Sequence, residues 1–136
     1  MKRIALSVVI VVVAVAAGYY FWARPAAPLA DNMLVLDAPL PGATVTSPLT
    51  VTGKARGMWF FEASFPVILT DSTGKVLAQE PAQALSEWTT TDFVPFKVVL
   101  TFTTPMTSTG TLTLKKDNPS DLPKNDDSRQ INVKFK

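Results

Sequence analysis

An acidic segment near the carboxyl end holds the densest group of side chains that could bind a metal ion. Asp117, Asp121, Asp126 and Asp127 lie close together there, among amide and hydroxyl side chains. Oxygen ligands of this kind suit Ca²⁺, which accepts irregular loop geometry. The ligand spacing of an EF-hand is absent, however, and neighbouring lysines would offset the negative charge. The segment therefore favours a solvated, turn-rich loop, and a calcium-dependent adhesin is the alternative.

Few residues are available for catalysis. The 136 residues include no Cys and no His, which removes thiolate nucleophiles, the usual general base and the commonest metal ligand. Serines 47, 64, 72 and 86 lie in turn or polar contexts without a nucleophile elbow, so only a Ser-Lys arrangement would remain. Glu62 has no second carboxylate at a useful spacing. We expect no enzyme, no catalytic residue, no cofactor and no metal site, with a small hydrolase as an alternative.

The sequence Met58-Trp59-Phe60-Phe61-Glu62 contains the densest aromatic run after the first 24 residues. In a β-strand, Trp59 and Phe61 would point to one face, and Met58 and Phe60 to the other. One pair would then be exposed to a protein partner or a glycan, with Glu62 beside it. We take these five residues as the candidate binding patch. The favoured interpretation, however, is that the core and a neighbouring loop cover both faces, because large apolar residues are usually buried.

The first 24 residues differ from the rest of the chain. Lys2 and Arg3 precede an uncharged stretch from Ile4 to Ala23, and a helix of about 20 residues is roughly 30 Å long, enough to cross a bilayer. Aromatic residues close this stretch before Arg24. The positive-inside rule places the amino terminus in the cytoplasm and the remainder outside the cell membrane. A cleaved signal peptide is the alternative, because Ala14-Val15-Ala16 resembles a cleavage site.

The net charge of +2 comes from the flanks of this apolar stretch. Lys2, Arg3 and Arg24 are three of the 13 basic residues, and all 11 acidic residues follow Arg24, so the remainder carries 10 minus 11, or −1. Its basic residues do not cluster with aromatic ones, as a nucleic-acid surface would require. We therefore expect no nucleic-acid partner.

The residues after Arg24 are typical of a linker followed by a β-domain. Residues 25–32 contain two prolines and predict an extended spacer, and residues 33–136 form the predicted domain. Asp71-Ser72-Thr73-Gly74 predicts a tight hairpin, whereas Pro66 and Pro95 predict edges or bulges, because proline cannot donate to a ladder. Seven runs read as strands: Met33–Asp37, Pro48–Arg56, Phe65–Thr70, Lys75–Gln79, Phe93–Thr103, Gly110–Lys115 and Gln130–Phe135.

About seven short strands predict an all-β fold, an immunoglobulin-like antiparallel β-sandwich preceded by one transmembrane helix. Two sheets would pack over one core of alternating apolar residues, with Trp59 or Trp88 as its central ring. No disulfide joins the sheets, because the chain has no cysteine. Packing alone would hold them together.

Several short motifs resemble the Gmad2 family, the immunoglobulin-like domain of bacterial spore germination proteins. They include Pro39-Leu40-Pro41-Gly42-Ala43, Ser47-Pro48-Leu49, Phe61-Glu62 and Gly110-Thr111-Leu112. The resemblance covers nearly all of residues 33–136. The segment from Asn118 to Pro123 also resembles a family loop, Asn-Pro-Ser-Gly-Leu-Pro, with Asp121 in place of the glycine.

This resemblance implies an exported, non-catalytic module of the bacterial envelope, in some relatives paired with a GerMN domain. We expect a single-pass membrane protein that acts by binding. Its loops or a sheet edge would contact a neighbouring envelope protein or cell-wall glycan. A structural envelope protein without a discrete ligand is the alternative.

Overall fold

Strands account for nearly all regular structure in the part of the chain that can be described. The computed structural model describes residues 25–136, and the predicted membrane segment at residues 1–24 lies outside the described residues. Within residues 25–136, the two helices are single 3₁₀ turns, Gly57–Trp59 and Pro123–Asn125. No helix in that range has the length and apolarity needed to span a bilayer. The predicted all-β class is confirmed.

Seven of the eight strands correspond to the seven predicted runs, and the additional one, β2, has two residues. The strands are β1 (Leu34–Ala38), β2 (Thr44–Val45), β3 (Leu49–Arg56), β4 (Ser64–Asp71), β5 (Val76–Ala84), β6 (Phe93–Leu100), β7 (Thr109–Lys115) and β8 (Ser128–Phe135). The predicted hairpin joins β4 to β5. Gly74 has φ +87° there, a conformation that glycine adopts without steric cost.

Hydrogen bonds connect all eight strands in the order β1-β3-β6-β5-β4-β7-β8-β2. Every pairing is antiparallel except that of β2 with β8. Strands β5 and β6 pair only at Gln83–Lys97 and Ala84–Phe96, and the sheet folds over at this short contact. Rings from the two halves meet inside, with Phe65 of β4 4.9 Å from Phe96 of β6. The two expected layers are thus halves of one curled sheet around a single core.

The core follows the predicted alternation along the strands. In β3, β4 and β6, every second residue is buried, as expected when one face of a strand packs inward. Trp59 is fully buried, whereas Trp88 is partly exposed and packs against the core edge. Of the two tryptophans, Trp59 is therefore the one that belongs to the core.

The prolines in β4 and β6 do not lie on edge strands or at bulges, contrary to expectation. Pro66 lies in β4 one residue before the pairing with β7 begins at Val67. The carbonyl of Pro95 accepts a hydrogen bond from Leu85 at 2.8 Å, so its nitrogen faces the β5 side, where the ladder is only two pairs long. Interior strands tolerate these prolines because each lies where the ladder is incomplete on one side.

The domain has two ends with different loops. We name them the Trp59 end and the Met106 end. The Asp117 N–H donates to the Trp59 carbonyl at the first end, and the Phe102 N–H donates to Ser47 Oγ at the second. The Trp59 end comprises residues 31–33, 54–64, 84–93 and 115–129, and the Met106 end comprises residues 37–48, 71–76, 100–109 and 134–136.

Candidate functional site

The candidate patch does not form a strand. Residues Gly57–Trp59 form a 3₁₀ helix directly after β3, so the expected alternation of side chains across residues 58–61 is wrong. Gly57 donates to the carbonyl of Asp92 at 3.1 Å, and a Cβ there would lie 1.9 Å from the carbonyl oxygen of Thr90. This close approach of two backbones, which only glycine permits, takes the chain out of the β3 ladder.

The 3₁₀ helix divides the patch between core and surface. Trp59 and Phe60 are buried, whereas Met58 and Phe61 are 55% and 42% exposed. Met58 lies in the 3₁₀ helix and Phe61 begins the tight turn that follows it, so the two exposed side chains flank the buried pair. Glu62 is also exposed. We call Met58, Phe61 and Glu62 the exposed patch.

A strained turn holds the exposed patch in place. Phe61 and Ser64 exchange both backbone hydrogen bonds, at 2.9 and 3.2 Å, which closes a hairpin with only Glu62 and Ala63 between them. These two residues have φ +50° and +64°, the left-handed pair of a type I′ turn, which favours Asn-Gly. Such a conformation in residues with a Cβ persists only where the surrounding structure enforces it, and such sites are often functional.

Buried aromatic rings form the base beneath this turn. Phe60 and Trp59 both pack edge-on against Phe65, at 5.1 and 5.8 Å between ring centroids. The guanidinium of Arg129 lies 5.5 Å from the centre of the Trp59 ring. The Ala63 carbonyl accepts a hydrogen bond from Ala84 at 2.8 Å. The turn is thus fixed both to the core and to the end of β5.

Arg129 connects this base to two other segments of the Trp59 end. Its guanidinium forms ion pairs with Asp31 and Asp127, and these bonds raise the pKa of Arg129. Partial burial of Asp31 acts to raise its pKa, but the bonds from Arg129 and from the N–H groups of Met33 and Leu34 outweigh this and lower the pKa. The side chains are thereby held in one arrangement.

The acidic segment is organised by hydrogen bonds of its own. Asn118 donates to the Asp126 carboxylate at 2.8 Å, and Ser120 accepts from Asn125 at 2.9 Å. Asp121 has φ +56°, a left-handed conformation that glycine adopts without steric cost. Among residues 25–136, no group of three or more acidic side chains is arranged to hold a metal ion. The segment between β7 and β8 is a loop that includes the 3₁₀ turn Pro123–Asn125.

The structure has a groove between β5 and β6 that the sequence does not predict. The two strands diverge beyond their short contact, and β5 has no second partner strand over residues 76–82 within the described domain. The groove has a volume of about 410 Å³, and Leu85 and Val99 in its lining are 60% and 46% exposed. Pro81 lies at the same edge and removes one backbone donor. The sequence pattern predicts where strands end, but it does not predict where two neighbouring strands of a sheet separate.

The chain matches a known protein family. A model of the Gmad2 family, described as the immunoglobulin-like domain of bacterial spore germination, matches residues 33–122. The match begins at the start of β1 and extends past β7 into the acidic segment. No curated protein and no solved structure matches the chain significantly.

Proposed function

We propose that this chain, which belongs to the Gmad2 family of immunoglobulin-like domains, is a non-catalytic binding module anchored in the cell membrane and exported to the bacterial envelope. The family is described by its link to spore germination. Family members are immunoglobulin-like domains, and such sandwiches commonly present loops from a rigid scaffold. Binding through loops is therefore the function that this fold supports best.

The observation that carries the proposal is the exposed patch on its strained turn. Two apolar side chains, Met58 and Phe61, stay in water although the neighbouring Trp59 and Phe60 are buried. Aromatic and methionine side chains are enriched at protein interfaces. The Glu62–Ala63 turn and the rings beneath it hold the patch in one conformation, so little conformational entropy is lost on binding.

The anchor rests on the sequence of residues 1–24. The uncharged stretch from Ile4 to Ala23 is long enough to cross a bilayer. Lys2 and Arg3 before it favour a cytoplasmic amino terminus, which places the domain outside the cell membrane. We propose a single-pass topology with an uncleaved anchor, in which the partner is a neighbouring envelope protein or cell-wall glycan.

Site-directed photo-crosslinking in bacterial cells that export the full chain tests this function. Benzoylphenylalanine replaces Phe61 in one variant and Gln130 in a control, since Gln130 is exposed on β8 and does not belong to the patch. We expect one discrete adduct from position 61 and none from position 130. An adduct that a cell-wall hydrolase shortens identifies a glycan, and one that yields peptides of a second protein by mass spectrometry identifies a protein.

The same unselective set of membrane neighbours at both positions would contradict a specific partner and favour the structural role. A second variant separates binding from folding. Met58→Ser combined with Phe61→Ser should abolish capture through a crosslinker at Glu62 while the melting temperature stays near that of the parent chain. Unchanged capture would contradict the assignment of the patch.

A further inference from the structure

The segment before β1 folds back along the edge of the domain. The Leu36 N–H donates to the Leu29 carbonyl at 2.8 Å, and the Asp31 N–H donates to the Leu34 carbonyl at 3.0 Å. Ala30 and Val35 form an antiparallel bridge between these bonds. Residues 29–36 are therefore a hairpin whose turn lies at the Trp59 end.

This hairpin sets the direction in which the chain approaches the domain. Since residues 29–31 run antiparallel to β1, the residues before Leu29 are directed along β1 towards the Met106 end. Pro25 and Pro28 favour an extended chain there. Five extended residue steps separate residue 24 from Leu29, a reach of about 17 Å at roughly 3.3–3.6 Å per residue.

We propose that the Met106 end faces the membrane and contacts anionic phospholipid headgroups, while the exposed patch at the Trp59 end points away from the bilayer. This inference rests on the anchor proposed above. The short tether brings the Met106 end near the point where residues 4–23 would leave the bilayer, and the opposite end lies a strand length further out.

The Met106 end has the side chains that such a contact needs. Met106 is fully exposed, at 104% of its reference area, and Val76 is 51% exposed. Both line one cleft of about 500 Å³ together with Lys75 and threonines 103, 104 and 107. Exposed apolar side chains beside a lysine suit the boundary between headgroups and acyl chains.

The net side-chain charges of the two ends also favour this orientation. The Met106 end has three basic side chains, Lys75, Lys134 and Lys136, and two acidic ones, Asp37 and Asp71, giving 3 minus 2, or +1. The Asp71 carboxylate is turned inward, where it accepts hydrogen bonds from Thr73 and Lys75. The Trp59 end has 6 basic and 8 acidic side chains, or −2: Lys54, Arg56, Lys115, Lys116, Lys124 and Arg129, against Asp31, Glu62, Glu87, Asp92, Asp117, Asp121, Asp126 and Asp127. An anionic surface therefore attracts the Met106 end and repels the other.

Fluorescence quenching in lipid nanodiscs tests this orientation. Because the chain has no cysteine, Met106→Cys and Met58→Cys each provide one labelling site, and both parent side chains are exposed. The full-length variants are placed in nanodiscs of phosphatidylglycerol and phosphatidylcholine that contain a headgroup-nitroxide lipid. An eight-residue strand separates the two ends by about 26 Å. We expect the label at position 106 to lose most of its emission and the label at position 58 to keep it.

Equal quenching at both positions, or stronger quenching at position 58, overturns the orientation while the anchor stands. Failure of the chain to fractionate with the nanodiscs overturns the anchor, and the orientation with it. Nanodiscs of phosphatidylcholine alone, and a Lys75→Ser variant in anionic nanodiscs, should both weaken quenching at position 106. Quenching that neither change affects overturns the assignment of anionic headgroups. Melting curves of both labelled variants check that each remains folded.

Discussion

Replacing Ala63 by glycine should stabilise the domain, although glycine usually weakens folded proteins. Ala63 has φ +64° in the turn that holds the exposed patch. Its side chain is only partly buried, so removing the methyl group loses little packing. The backbone hydrogen bond from Ala84 to the Ala63 carbonyl is retained.

The size of the effect follows from two opposing free energies. The left-handed conformation costs a residue with a Cβ about 1–2 kcal/mol. Glycine increases the conformational entropy of the unfolded chain, which costs about 0.4–1 kcal/mol. The free energy of unfolding should therefore rise by about 0.5–1 kcal/mol. For a domain of this size, that raises the melting temperature by about 2–4 °C.

Thermal and urea unfolding of Ala63→Gly, followed by circular dichroism, measure the change. Ala30→Gly is the matched control, because Ala30 is exposed and is not among the positive-φ residues of the described chain. That control should lose about 0.5–1 kcal/mol. If Ala63→Gly is neutral or destabilising to the same extent as the control, the turn is not strained, and the argument that strain presents the patch fails.

Three further predictions concern the core, the backbone contact and acid stability. Trp59→Ala should lower the free energy of unfolding by about 3–5 kcal/mol, and Phe61→Ala by less than half of that, as measured by urea unfolding. Gly57→Ala should cost about 3 kcal/mol, because the new methyl group would meet the Thr90 carbonyl; Gly42→Ala, with nothing within 4 Å, should lose only about 1 kcal/mol from its positive φ. Hydrogen bonds from Thr73 lower the pKa of Asp71 below its ordinary value of 3.8, and hydrogen bonds from Thr89 lower the pKa of Glu87 below 4.5. The ionised carboxylates therefore stabilise the fold above those ordinary values, and this stabilisation is lost as the pH falls through the lowered pKa values. Melting curves across this acid range should show falling stability, and Asp71→Asn should make the fall shallower.

The strands could be predicted because their signal is local. Alternation of apolar and polar residues marks β3, β7 and β8, and each is present within a few residues of its predicted bounds. Strand β5 continues to Ala84, beyond the predicted end at Gln79, because pairing with β4 extends the ladder through Pro81. Pairing across the sheet is a non-local property that the period of a single strand does not contain.

The curled sheet depends on the same non-local information. Its two halves join where Gln83 and Ala84 pair with β6, and neither residue has a turn or bulge signature in the sequence. The sequence also does not predict the direction of the segment before β1. Two prolines predict an extended spacer, whereas Leu29 hydrogen-bonds to β1 and packs against the core. Apolar residues in a Pro-rich segment are thus the signal that part of it docks.

The burial of residues 58–61 shows how one backbone contact decides which side chains form a surface. A strand would have buried alternate residues, whereas the observed order is exposed, buried, buried, exposed. The difference comes from Gly57, whose hydrogen bond to Asp92 draws the chain into a turn of three residues. One aromatic run therefore provides both a large buried ring of the core and the exposed patch. Substitution of Trp59 consequently tests folding, and substitution of Phe61 tests binding, although the two residues are only two positions apart.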